Sequence, residues 1–499
     1  MKINKKISFL LVFVLVFTSM FMLTGCNNNT SPSGTYIMSI EKTSTGNENE
    51  YVIIYSDGSI SNITLRDGVD GTNGTNGTNG KNGRDGKDGE NGKDLTIQDI
   101  YNEYMIQYPD SEITFSEFLD QYLSYGDDSD EKGILATNSA LRSVVKVYTE
   151  YYVSQYNFWG METKGVSMSA GSAVIYKITD DYTYLITNYH VVYNASSNED
   201  NGGKIARKII GYLYGVNGGP MTTTEKNGDY DVYEYSEGGL EMEFVGGAVT
   251  YDLAVIKVKT SDLLARNADV QEITFAKEYH TGQAAIAIGN PENEGISSTQ
   301  GIISVDSENI VLSIDGTQRS YRSIRIDTPL YSGNSGGGLF NLSGELIGIT
   351  NAGDGDDQNV NYAIPLDIVK NVVENIMYYC NNSDNTSPKK PLLGVTVESK
   401  NARYVYDSKS GYGHVKEDIV VTEMYENSIS SKLGLLADDV IEAIVINGEE
   451  YAIERSYEIG DLLLTIRQGD VIAIKCTRDG QLVTSSIYTF VEADLNDVA

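Results

Sequence analysis

From Ser143 to Tyr362 the chain repeats short apolar and aromatic runs of strand length, broken by turn residues, with little helical periodicity. This pattern predicts an all-β domain of the size expected of a pair of barrels. The character changes afterwards. Ile364 to Tyr379 reads as a helix, Asn381 to Lys390 as a polar linker, and Leu392 to Val491 as a second compact unit.

The start of the chain is built on other rules. Lys2, Lys5 and Lys6 precede a mostly apolar, uncharged run from Ile7 to Met22, too short and wrongly flanked for a permanent membrane helix, so residues 1–25 read as an export signal. In residues 26–66, Tyr51–Tyr55 and Ser59–Leu65 flank Ser56-Asp57-Gly58 and predict a β-hairpin, with Thr35 to Glu41 as a candidate third strand. Within residues 67–94, glycine recurs at every third position from Gly68 to Gly92 without any proline. Such a tract is either a collagen-like rod, roughly 80 Å long at ~3.1 Å per residue, or a solvated spacer, and in both cases a tether. Residues 95–126 read as a helical hairpin, its second helix opened by the capping box Thr114-Phe-Ser-Glu117, and residues 127–140 as a charged linker.

Removal of the signal leaves 34 basic against 70 acidic side chains, a difference of −36. A surface so acidic repels nucleic acid. With only Cys380 and Cys476 beside Cys26, an exported chain is not a disulfide scaffold, and its stability must come from packed cores. No Cys/His cluster or carboxylate motif calls for a metal, and no cofactor is expected.

Three residues carry the candidate chemistry. Ser335 lies in DTPLYSGNSGGGLF, residues 327–340, among four glycines; His190 ends the apolar strand of YLITNYHVV; Asp252 opens the strand of YDLAVIKV. Singly each has an ordinary role: loop serine, buried strand-end histidine, strand cap. Together they suit nucleophilic catalysis, because a serine hydroxyl needs an imidazole to take its proton and the imidazole needs a carboxylate to fix its tautomer. His280 and His414 fall in polar loops and read as surface residues.

GSAVI, LITNYHVV, DLAVIKV, IGNP, GNSGGGLFN, GELIGI and YAIP occur in the order seen in the HtrA/Deg group of trypsin-like serine proteases, which residues Leu141 to Val372 resemble. The resemblance implies a chymotrypsin-like double β-barrel over residues 141–380, with Ser335 as nucleophile, His190 as general base and then acid, and Asp252 as orienter. It places the oxyanion hole at Gly333, Asn334 and Ser335, through the N–H groups of Gly333 and Ser335, and the primary pocket at Pro329, Leu330 and Tyr331. No acid stands there to hold Lys or Arg, so the pocket should prefer small to medium aliphatic side chains. The family also implies trimers, and Leu23-Thr24-Gly25-Cys26 resembles a lipobox, which predicts a lipid anchor at Cys26.

After a linker at 381–391, residues 392–491 resemble a PDZ domain. Leu393, Gly394 and Val395 would bind a peptide C-terminus, Ser456 to Arg467 would form the groove helix, Asn447-Gly448 a type I′ turn, and Asp438 a left-handed residue where glycine is usual. Two departures stand out. Asn201 to Gly247 is a long insertion that could overhang the site. Asp306-Ser307-Glu308 follow QGIISV where regulatory family members carry a relay arginine, so the expectation is a PDZ domain that captures clients rather than one that switches the catalytic centre. The resemblance implies a membrane-anchored, extracytoplasmic endopeptidase for unfolded or damaged exported proteins. The rival class is a non-catalytic or chaperone-like surface binding protein.

Overall fold

The computed structural model describes residues 37–42, 48–55, 60–66, 101, 105 and most of 129–498, apart from 157, 199–203, 222–225, 228–229, 355–356, 382, 384 and 409–410. Residues 1–128 and 129–499 are separate units. In the first, β1 (Ile37–Lys42), β2 (Glu48–Tyr55) and β3 (Ile60–Arg66) form an antiparallel sheet in that order, which matches the hairpin and third strand read from the sequence. Of the 95–126 segment, Tyr101 and Met105 are helical. The signal, Cys26 and the glycine-period tract lie outside the described residues.

The second unit opens with helix α1 (Ser129–Ala140), where a linker was expected over 127–140. The charged start Asp127–Lys132 hid it. Ala136 and Ala140, one turn apart, are buried against the core, and Gln271 Nε2 donates to the Ser139 carbonyl at 2.8 Å.

Two six-stranded antiparallel barrels follow. The first comprises β4 (Val144–Tyr156), β5 (Glu162–Ile178), β6 (Tyr182–Thr187), β7 (Lys208–Leu213), β8 (Leu240–Ala248) and β9 (Leu253–Lys259), closed in the order β8-β9-β6-β5-β4-β7. The second comprises β10 (Ala284–Gly289), β11 (Ser297–Ser313), β12 (Gln318–Ile326), β13 (Gly338–Phe340), β14 (Leu346–Asp354) and β15 (Asp357–Pro365), closed as β10-β11-β12-β15-β14-β13. The two-residue period of a strand sorts side chains between two cores. On β10, Ala285 and Ala287 fill the barrel interior while Ile286 and Ile288 face the seam between barrels. On β9, Ala254 and Ile256 go inward while Leu253 and Val255 meet that seam.

Helix α4 (Leu366–Tyr379) covers the seam; before it come the short helices α2 (Tyr189–Val192) and α3 (Thr260–Arg266). Ile368, Val369, Val372, Val373 and Ile376 of α4 are buried in it, each with a transfer gain of roughly 1.5–3 kcal/mol.

The expected insertion at 201–247 is corrected: β7 and β8 are barrel strands within it. Glycine turns and aromatic content disguised their alternation. Between them, Pro220–Met221 pairs with Glu234–Tyr235. The described residues of this segment pack away from the site. Tyr230 stacks on Tyr152 at 4.0 Å, and Tyr235 Oη donates to Glu150, whereas the neighbouring Thr149 and Tyr151 donate to the Val191 carbonyl beside His190. The alternation of β4 therefore puts the described part of the segment on the face opposite the helix that carries His190.

The C-terminal unit is a sheet of β16 (Val395–Tyr406), β17 (Gly413–Met424), β18 (Val440–Ile446), β20 (Val471–Arg478) and β21 (Gln481–Thr484) in that order, with β19 (Glu449–Ala452) paired to β18. Helices α5 (Ile429–Leu433) and α6 (Ser456–Leu463) pack its core with Leu393, Ile441 and Ile474. α6 is shorter than the expected Ser456–Arg467, because the Arg467 N–H turns to the Asp470 carboxylate at 2.6 Å. Asp438 (φ 71°) is left-handed, and Asn447 (φ 54°) with Gly448 (φ 90°) forms the expected turn. The unit also extends past Val491: Leu495–Asp497 pairs with Lys389–Pro391, within the expected linker, and Val498 is buried in the seam core.

Candidate active site

β6 ends at Thr187, Asn188 follows, and α2 presents His190 at the rim of the first barrel. Asp252 stands on the neighbouring strand's entrance, fully buried and left-handed at φ 52°. Its carboxylate accepts from the His190 N–H at 2.9 Å and from Nδ1 at 2.7 Å, and its carbonyl accepts from Asn188 Nδ2 at 2.9 Å and the Tyr189 N–H at 3.1 Å. A carboxylate only accepts, so Nδ1 is the donor and Nε2 is left to take a proton. Burial alone would depress the imidazole, but the charge and hydrogen bond of Asp252 outweigh it and hold the pKa above the ordinary 6.5. Tyr321 of β12 braces the same turn by donating to the Val249 carbonyl at 2.9 Å; burial and then the Asp252 charge push its phenol up to about 12, which keeps it a donor.

Ser335 comes from the second barrel. Gly333 (φ 98°) and Gly336 (φ 85°) shape its turn, and neither tolerates a side chain: a Cβ would meet the Asn290 carbonyl oxygen or the Ser172 carbonyl oxygen at 2.2 Å. Ser172, of the GSAVI run on β5, holds the turn across the seam. Its N–H donates to the Ser335 carbonyl at 2.8 Å, its hydroxyl donates to the Gly333 carbonyl at 2.9 Å, and the Asn290 N–H donates to that hydroxyl at 2.9 Å.

Among the described residues, the N–H groups of Gly333 and Ser335 make no hydrogen bond within the chain, as an oxyanion hole requires. Asn334 is corrected: its N–H donates to the Tyr331 carbonyl at 3.0 Å and is not available to an oxyanion. The Ser335 hydroxyl donates to the Asn351 carbonyl at 3.1 Å and makes no hydrogen bond to His190. His190 lines a cleft of about 430 Å³ together with Asn351, whose carbonyl holds the serine hydroxyl, and a turn about the serine Cα–Cβ bond re-aims that hydroxyl.

Of the expected pocket residues, Pro329 and Leu330 are partly buried and Tyr331 is exposed. The Pro329 carbonyl accepts from Thr299 at 2.8 Å. Leu393 is buried, with its carbonyl accepting the Ser430 N–H, and Gly394 is left-handed at φ 66° just before the sheet-edge strand β16. His280 is not a plain surface residue: its ring lies flat on Tyr412 of the C-terminal unit at 3.9 Å, while His414 Nε2 meets Glu454 at 2.7 Å.

Residues 171–349 match the family described as Trypsin-like peptidase domain. The chain is 27% identical over 327 residues to Serine protease Do-like HtrA of Bacillus subtilis (strain 168), covering 64% of this chain and 63% of that one. Over these residues it is similar to trypsin-like peptidase domains, and more widely to serine proteases of the HtrA/Deg type.

Serine protease Do-like HtrB of the same organism is 28% identical over 329 residues, 63% of this chain and 60% of its own. Serine endoprotease DegS of Haemophilus influenzae is 28% identical over 300 residues, 58% of this chain and 79% of its own. The chain thus spans under two thirds of the two Bacillus relatives. Around the candidate site, sequence reading missed Ser172 and Asn351. Ser172 falls in a motif that marks the family, but nothing in the letters marks its hydroxyl as the brace of the oxyanion turn.

Proposed function

We propose that the chain is a serine endopeptidase working through an acyl-enzyme. Ser335 attacks the peptide carbonyl, His190 takes its proton and returns it to the leaving amine, Asp252 holds the imidazole, and the N–H groups of Gly333 and Ser335 receive the oxyanion. The observation that carries the reading is the buried Asp252 carboxylate gripping His190 Nδ1 at 2.7 Å, because a scaffold has no need to hold an imidazole in its basic tautomer. Pro329, Leu330 and Tyr331 wall a primary pocket that prefers small to medium aliphatic side chains.

The setting is extracytoplasmic, with Cys26 lipidated at the membrane face, unfolded exported proteins as substrates, and a trimer as the assembly. The C-terminal unit acts as a PDZ domain, holding peptide C-termini at Leu393, Gly394 and Val395 beside the free edge of β16. Among the described residues no helix is long and apolar enough to cross a membrane. The test is degradation of casein by the mature protein: Ser335→Ala should abolish it with folding intact, and equal cleavage by the two proteins would defeat the reading. For the anchor, Cys26→Ala should release the protein from membranes, and an unlipidated mature N-terminus in mass spectrometry would contradict it.

A further inference from the structure

The cleft beside His190 has a wall that the triad does not explain. β11 and β12 form a long hairpin whose end pairs Leu312 with Arg319 and Ser313 with Gln318. Its turn is clamped: the Arg319 guanidinium grips the Asp315 carboxylate through both nitrogens, the Thr317 N–H donates to the same carboxylate at 3.0 Å, and that grip holds the Asp315 carboxyl down to about 2. Tyr321 ties the hairpin to the Asp252 turn. The tip is therefore fixed against the rim of the catalytic site. Leu312 and Ile314 line the cleft, facing Tyr193 and Ala195 from the histidine side and Ala352 from β14. Polar residues share the lining, His190, Asn194, Ser313 and Asn351 among them, and Asn351, 6% exposed, keeps a buried Nδ2 with no hydrogen bond. A buried donor left unmatched costs about 1–3 kcal/mol unless a ligand satisfies it.

The path of a substrate follows from the sheet. β13 pairs with β14 only as far as Ile349, so the stretch Asn351–Gly353 offers an edge next to the serine that accepts an extended chain. Side chains of that chain alternate. Leu330 of the primary pocket lies by Gly353, with its carbonyl oxygen 3.8 Å from where a Cβ would stand, so the residue whose carbonyl is attacked points there. The residue before it points the other way, toward His190 and the hairpin tip.

We propose that Leu312, Ile314 and Tyr193 form a subsite selecting an apolar side chain on the substrate residue immediately preceding the one whose carbonyl is attacked, while Asn351 Nδ2 donates to a carbonyl of the bound segment. This rests on the peptidase reading and names its selectivity.

The test uses the whole mature protein and two fluorogenic peptides that differ only in leucine or glycine at that residue. Wild type should favour leucine by on the order of tenfold or more in kcat/KM, the scale of an apolar group in a fitted pocket. The double variant Leu312→Ala/Ile314→Ala should bring the ratio to within about twofold, and Asn351→Ala should weaken both peptides alike. A wild-type ratio near one, or a preference that survives the double substitution, would overturn the subsite. The same two peptides are titrated into Ser335→Ala, where the leucine peptide should bind about tenfold tighter. If wild type cleaves neither peptide, the peptidase reading falls, and the binding ratio alone decides the subsite.

Discussion

Asp252 receives four hydrogen bonds, from both sides of His190 and from the two residues before it, so the imidazole is placed by one buried side chain and its backbone. The rate should follow His190. The base must be neutral, and its pKa lies above 6.5, so kcat/KM should fall as pH drops through that raised value and level off above it. Asp252→Asn removes both influences that raise the pKa and leaves burial; the acid limb should shift to lower pH while the rate falls by about 10⁴-fold. A pH–rate profile with an unmoved midpoint would contradict this. Ser172→Ala strands the buried Asn290 N–H and frees the Gly333 carbonyl, so it should cost about 1–3 kcal/mol in denaturant melts and lower kcat about tenfold or more with a smaller change in KM. At this scale the pairing of His190 with Asp252 was legible because the two residue types stood in order inside family-like runs. Ser172 and Asn351 were not, because a strand serine and a strand asparagine become functional only through neighbours over a hundred residues away or through the cleft they line.

Elements were legible where burial imposed a period. β6, β9 and β10 read as strands because nearly every residue in them is buried in a barrel or in the seam. α1 was not, because its buried side among the described residues is marked only by the small residues Gly133, Ala136 and Ala140, and β7 and β8 were lost in glycine-rich surroundings. The contact of α4 and α6 with the barrel was equally silent in the sequence: the Arg322 side chain of β12, 6% exposed, lies between Asp367 and Asp461 and over the Tyr457 ring at 4.0 Å. Asp306, one of the acids standing where the relay arginine was sought, lies 3.9 Å from Arg455 of the C-terminal unit. Arg322→Met should destabilise the protein by about 3 kcal/mol, because two carboxylates lose their counter-charge, and Arg322→Met/Asp461→Leu should recover part of it. Thermal melts in which the double variant is less stable than the single would contradict this assignment.

At the scale of the molecule, the described residues are held by packing, with no disulfide among them. Cys380 and Cys476 are both free and buried, and burial pushes their thiols up to about 12 and about 11. Neither should react with an aromatic disulfide reagent at pH 8 in the native protein, and both should react once guanidinium unfolds it; fast native labelling would contradict the placement. The division into a β protease-like region and a C-terminal sheet was legible because composition and turn spacing change near residue 380. The exact ends were not, because Lys389–Pro391 and Leu495–Asp497 meet only in three dimensions.

The central claim is that Ser335 is a nucleophile activated by His190. A fluorophosphonate reacts with such a serine and with few others, so mass spectrometry of the treated protein tests it directly. The account predicts one adduct, on the peptide carrying Ser335, that is lost in His190→Ala. No adduct on folded wild type, or equal labelling of the His190→Ala protein, would contradict it.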